Sequence, residues 1–143
     1  MLFMCSKLIL RPFGLEMRGR RMSCIEAGYI CIPKGDDSLI VFTVKENDAN
    51  GALFDISGAS EIVFAVADEI GGSVRIVKKL STGGVNISTN DYQFYLTVSS
   101  SDTSGLMKQT NYYECRVTSS DGKKKTVSYG VFKAVDTIIK DIP

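Results

Sequence analysis

The sequence predicts an all-β sandwich of seven or eight short antiparallel strands closed into two sheets over one hydrophobic core. Three observations point there. Apolar side chains alternate with polar ones in short runs from Ala27 to Val135. Turn chemistry (Pro-Lys-Gly-Asp, Asn-Asp-Ala-Asn-Gly, Gly-Gly, Asp-Gly) recurs at intervals of roughly 8–12 residues, the spacing of a sandwich or barrel. No stretch longer than about ten residues carries a helical period. A chain of 143 residues, 44% hydrophobic, is one domain by length and can bury a core without covalent staples.

The elements follow in order. Residues 27–33 form a first strand ended by Pro33, which cannot donate to a ladder and so suits an edge strand or a strand end. Residues 38–46 form the second, with Ile40, Phe42 and Val44 on one face. Residues 47–51 are a loop, and 53–58 a short link. In residues 60–67 Ile62, Phe64 and Val66 share one face and the small Ala65 and Ala67 the other. Residues 73–80 place Arg75 and Lys79 outward, as an exposed or edge strand does. A short strand at 85–88 follows. Then comes a cleanly alternating one at 92–98, with Tyr92, Phe94, Leu96 and Val98 pointing one way. Residues 99–106 read as a polar corner with a single helical turn ending near Gly105. Residues 111–119 direct Tyr113, Cys115 and Val117 inward. Asp121-Gly122 signals a type I′ hairpin. The last strand runs to about Val135, with Val127, Tyr129 and Val131 on one face.

Three regions divide the chain: residues 1–21, an N-terminal extension; 22–135, the sandwich; and 136–143, a C-terminal tail. Of 17 basic and 16 acidic residues, five and one fall in residues 1–21, leaving 12 basic and 15 acidic beyond. Lys7 and Arg11 interrupt the apolar stretch that a signal peptide needs, and Arg18, Arg20 and Arg21 stand where its small residues belong. Nor does the segment hold the about 20 apolar residues of a spanning helix. Two readings fit it: translation beginning at Met22, with Arg18-Gly19-Arg20-Arg21 a read-through ribosome-binding sequence, or a basic, partly apolar arm that docks on a neighbouring subunit.

Composition narrows the chemistry. There is no histidine, which removes the commonest general base and metal ligand and the histidine-based nucleophilic triads. A net charge of +1 gives no pull toward nucleic acid or an anionic membrane. Cys5, Cys24, Cys31 and Cys115 form no Cys-x-x-Cys pair. A Cys24–Cys31 bridge would need the chain between them to fold back, and the simpler expectation is four thiols. Glu46, Asp48, Asn50 and Gly51 resemble the start of a calcium loop, but Ser57 stands where the bidentate Glu is required. Asp36-Asp37 and Asp68-Glu69 are neighbours in turns, not carboxylates set across a cleft. Lys123, Lys124 and Lys125 make a solvated hairpin that resists edge pairing, too narrow for a nucleic-acid surface. These features predict a non-enzyme with no metal, no cofactor and no catalytic residue.

A set of motifs resembles a known family. Pro33-Lys34-Gly35-Asp36-Asp37 leads into Leu39–Val44; Asn50-Gly51 and Phe54-Asp55-Ile56-Ser57-Gly58-Ala59 lead into Ile62–Val66. Later come Asp102–Leu106, Tyr112-Tyr113-Glu114-Cys115-Arg116-Val117, Asp121-Gly122 and Tyr129-Gly130-Val131-Phe132. In this order they resemble the immunoglobulin-like module of tailed-phage virion proteins, notably the N-terminal domain of baseplate upper proteins, over about residues 32–135. Tyr113-x-Cys115 is similar to the tyrosine corner of such domains, which implies a Tyr113 hydroxyl tied to backbone within residues 102–106, with Tyr112 a competitor. The usual Cys partner is replaced by Phe42, so Cys115 is expected as a bridge-free core residue, and the core Trp of antibody domains is missing. The resemblance implies an immunoglobulin-like β-sandwich serving as a structural component of the bacteriophage particle (tail, baseplate or head exterior). It would bind other virion proteins, and copies of itself, through sheet edges and end loops. Because the chain ends soon after the module, it would be a stand-alone decoration or adaptor. The alternative is a carbohydrate- or host-receptor-binding module, for which Tyr29, Tyr95 and Tyr112 are the candidate exposed aromatics.

Overall fold

Alternation of β-branched and aromatic residues with polar ones builds strands where the pattern places them. The computed structural model describes residues 4–11, 15–16, 27–46 and 52–136. Within these lie β1 (Met4–Arg11), β2 (Leu15–Glu16), β3 (Ala27–Pro33), β4 (Ser38–Glu46), β5 (Glu61–Ala67), β6 (Val74–Lys79), β7 (Val85–Ile87), β8 (Gln93–Val98), α1 (Ser100–Ser104), β9 (Thr110–Thr118) and β10 (Lys124–Val135). The loop holding Asp48 and Asn50, Cys24, the arginines at 18, 20 and 21, and residues 137–143 lie outside the described residues.

The strands form two five-stranded sheets, ordered β2-β1-β4-β8-β7 and β3-β10-β9-β5-β6. Every pairing is antiparallel except β3 with β10, which run parallel from Ala27 beside Tyr129 to Pro33 beside Val135. Pro33 thus sits on an edge strand, and β6 with Arg75 and Lys79 is the opposite edge of the same sheet. In the N-terminal extension, Met4–Arg11 pairs along the free side of β4.

The two inner faces meet over an aromatic centre. Phe42 stacks on Phe94 within its own sheet at 4.9 Å between ring centroids, and reaches Phe64 at 6.1 Å and Tyr113 at 6.3 Å across the interior. Phe132 meets Phe64 edge-on at 6.3 Å. Ile40, Ile62, Val66, Leu96, Val117 and the bridge-free Cys115 complete the core. Burial of each large side chain contributes about 1.5–3 kcal/mol. Ile56 closes one end: its N–H donates to Asp91 O at 2.7 Å and its side chain is buried.

Three expectations are corrected. First, Val127 does not share a face with Tyr129 and Val131. The register slips between Thr126 and Ser128, so Val127 and Ser128 are both buried while Tyr129 is exposed, and Phe132 and Ala134 become the inward residues. One extra residue in a bulge flips the alternation beyond it. Second, the Asp121-Gly122 hairpin is not type I′, which needs positive φ at both central residues. Only Gly122 has it (φ 86), and Ser119 N–H donating to Lys123 O closes a three-residue loop. Third, the Tyr113 hydroxyl bonds Ser128 Oγ at 2.9 Å, inside the sandwich, and forms no tyrosine corner. Gly28 leaves the space its hydroxyl and ring lean into, and Gly130, beside Gly28 in the register, lets the two backbones come close.

The corner is secured differently. Ser99 caps α1 in a capping box: its Oγ accepts from Asp102 N and its N–H donates to Asp102 Oδ2 at 2.8 Å. Buried Thr103 then accepts Gly35 N–H at 2.9 Å, and Lys34 Nζ donates to Leu106 O at 3.2 Å. These bonds tie the β3–β4 turn to the β8–β9 connection.

Candidate functional site

On a sheet that is buried on one face, the residues between the core positions point to solvent. For β3-β10-β9-β5-β6 they fall into two rows running across the strands. One reads Tyr29, Val131, Tyr112, Ala67, Val74; the other reads Tyr129, Glu114, Ala65, Val77. Small side chains at Ala65 and Ala67 and the bare Gly130 make a low floor. Tyr112, Tyr129 and Val131 rise on one side of it. On the other stand Val74 and the β5–β6 turn, where Gly72 N–H donates to Glu69 O at 2.9 Å and lifts Ile70 outward. The result is a depression of about 770 Å³.

Its walls are apolar and open. Ile70 is 86% exposed and Val74 54%; Val77, outside the lining on the same face, is 49% exposed. Glu69 and Glu114 are the charged residues that line the depression, and both are acids. Glu114 Oε1 accepts from Thr126 Oγ1 at 2.6 Å, and Arg116, outside the lining, approaches it at 3.5 Å. Both members of that ion pair are about half exposed, so it is worth little.

The outer face of the other sheet is different. Thr43 Oγ1 accepts from Gln93 Nε2 at 2.9 Å, and Gln93 Oε1 accepts from Asn90 Nδ2 at 2.7 Å. Tyr95 lies there, beside Val41 and across the sandwich from the other tyrosines. Of the three aromatics nominated from the sequence, the structure therefore puts Tyr29 and Tyr112 on one face, with Val131 between them and Tyr29 outside the depression, and leaves Tyr95 apart. Tyr129, which the alternation grouped with Val127 on one face, lies on the same outer face as the first two.

The acids singled out in the turns serve local structure. Asp37 Oδ1 accepts Ser100 N–H at 2.8 Å. Asp68 pairs with Arg75 at 3.0 Å, and the hydrogen bond from that guanidinium holds its carboxyl below the ordinary value. Lys123 lies 3.8 Å from Asp121. Asp102 is pushed up by burial but brought below its ordinary value overall by Lys78, whose Nζ is 2.8 Å away, and by the Ser99 bonds. Burial raises the Tyr113 phenol and the Cys115 thiol, keeping both neutral and inert in the core. Among the described residues no group of three His, Cys, Asp or Glu side chains is placed to hold a metal ion. No helix among them is long and apolar enough to cross a membrane. No protein-family profile matches the chain, and no curated protein matches it.

Proposed function

We propose that this chain is a structural protein of a phage or prophage virion, a tail, baseplate or head-exterior accessory component that acts by protein–protein assembly. We place its docking surface on the outer face of β3-β10-β9-β5-β6. The observation that carries the reading is the open, tyrosine-flanked apolar depression on that face. Tyrosine is enriched at the centres of protein interfaces, and Tyr112 and Tyr129 flank this depression. The sandwich supports the immunoglobulin-like assignment as well: the order β4-β8-β7 opposite β10-β9-β5 parallels strands B-E-D opposite G-F-C of that architecture. In this reading the chain has no catalytic role, needs no cofactor, and contacts neither nucleic acid nor membrane.

The test is made on particles purified from the producing host. Immunogold labelling and peptide mass spectrometry should find the protein in the virion. Tyr112→Asp and Val77→Asp should fold normally yet fail to be incorporated. Particles that lack the wild-type protein refute the virion assignment, and normal incorporation of both variants refutes the face.

The alternative of a glycan- or receptor-binding module is favoured by one observation, the grouping of Tyr29, Tyr112 and Tyr129. Val131 and Val74 in the same row, and Val77 and Ile70 beside it, suit the side chains of a protein better than the hydroxyls of a sugar. Saturable binding on a glycan array that Tyr112→Ala abolishes would reverse that preference.

A further inference from the structure

Taking this face as the docking surface, we infer that the depression receives an arginine side chain projecting from a partner protein. The charge of the site selects that occupant: the two ionised groups that line it, Glu69 and Glu114, are both carboxylates, contributed from opposite sides. Of the nearby cations, Arg75 is engaged by Asp68 at 3.0 Å, and Arg116, beyond the lining, meets Glu114 at 3.5 Å in a half-exposed pair worth little, which an incoming guanidinium can share or displace. The low floor of Ala65 and Ala67 is matched to the methylene stem of a long cationic residue, which buries its apolar part and carries its charge to the rim. Tyr112 and Tyr129 supply ring faces for a cation. Among cations the guanidinium is favoured because it is planar, stacks on aromatic rings and is weakly hydrated, so it surrenders less on entering an apolar recess. An aliphatic knob would gain the same floor but would leave two carboxylates facing apolar surface.

The experiment is an amide chemical-shift titration of the full-length, isotopically labelled protein with N-acetyl-arginine methylamide. N-acetyl-citrulline methylamide, which has nearly the same shape without the charge, is the comparison. The arginine compound should move the amides of Ala65, Ala67, Tyr112 and Tyr129, with a dissociation constant on the order of millimolar for so small a probe. Citrulline should bind roughly five- to ten-fold more weakly, the worth of two exposed charge contacts. Combining Glu69→Gln with Glu114→Gln should bring the two compounds level, while the unchanged dispersion of the remaining amides reports an intact fold. Equal binding of both compounds to the wild type, shifts mapping away from this face, or no shift at all overturns the inference. Such a result leaves the docking face standing if Tyr112→Asp still blocks incorporation into particles. If that variant is incorporated normally, the face itself is wrong whatever the probes do.

Discussion

Gly28 and Gly130 sit side by side in the register, and the Tyr113 ring lies against Gly28. A methyl group at Gly28 would overlap the Tyr113 hydroxyl oxygen and come within 3.2 Å of Cζ. Overpacking of this kind costs about 1–3 kcal/mol. The loss of backbone freedom in the unfolded chain returns about 0.4–1 kcal/mol. Gly28→Ala should therefore destabilise by about 1–2 kcal/mol. Tyr113→Phe, which strips Ser128 Oγ of its partner, should cost about 0.5–1.5 kcal/mol. Together they should cost less than the sum, because the atom in the way has gone and only the 3.2 Å approach to Cζ remains. The coupling should reach at least about 1 kcal/mol, read from urea denaturation of the four proteins of the cycle. Gly130→Ala is the control: its methyl would run into the backbone of Gly28, which Tyr113→Phe does not relieve. Additivity of Gly28→Ala and Tyr113→Phe within about 0.5 kcal/mol would refute the account of how this tyrosine is housed.

Four further outcomes are expected. Deleting Val127 removes the bulge but leaves Thr126 opposite Arg116 and Ser128 opposite Cys115, so it should cost about as much as Val127→Ala; a deletion that unfolds the domain while Val127→Ala does not, as read by urea unfolding, would contradict the bulge. Burial holds the Cys115 thiol and the Tyr113 phenol neutral in the fold, whereas the unfolded chain releases their protons near their ordinary values of 9.0 and 10.0. The folded state then binds more protons above about pH 9, so stability should be complete below that pH and fall as it rises; Tyr113→Phe should flatten the upper part of the decline in a pH series of melting temperatures. Ser99→Ala removes the cap of α1 and should cost about 0.5–2 kcal/mol, and a melting temperature unchanged within about 1 °C would rule out the capping box as a stabiliser. Val77→Asp should change stability by less than about 0.5 kcal/mol because Val77 is half exposed, whereas Ile76→Asp buries an unpaired carboxylate and should unfold the domain; a Val77→Asp loss as large as that of Ile76→Asp would mean the outer face is needed for folding.

The inward faces were legible wherever alternation ran unbroken. Ile62, Phe64 and Val66, or Phe94, Leu96 and Val98, need only their spacing to be placed, because nothing local competes with the period of two. The capped corner was legible for the same reason, its chemistry lying within seven residues. Legibility failed where a long-range partner decided the outcome. Nothing near Val127 announces that its neighbour strand offers one residue opposite two. Once that slip is missed, Tyr129 is sent to the wrong face and the aromatic grouping is split. Parallel pairing of β3 with β10 joins residues about a hundred positions apart, and no local signal carries it. The destination of the Tyr113 hydroxyl depended on two glycines in two other strands. The candidate site was thus half visible: its small floor at Ala65 and Ala67 and two of its tyrosines could be named, but not the fact that they adjoin.

The two outer faces of the sandwich obey the same alternation, yet their composition differs, and that difference is the strongest argument for docking. A domain needing only solubility has no reason to treat them unequally. On β4 and β8 the outward positions mix Leu39, Val41 and Tyr95 with Thr43 and Gln93, the last two held in a side-chain network that satisfies its own polar groups. On β10, β9, β5 and β6 the equivalent positions include Val131, Tyr129, Tyr112, Ala65, Ala67, Val74 and Val77, gathered around the depression, with charged Glu114, Arg116 and Lys133 among and beyond them. None of these contributes to the core, and several remain in water at a cost that burial elsewhere does not recover. Edge strand β6 carries Arg75 and Lys79, charges that oppose sheet extension by a second strand. The chain is therefore guarded at that border and open on the adjoining face, which directs association through side chains set into a depression and away from backbone pairing along β6.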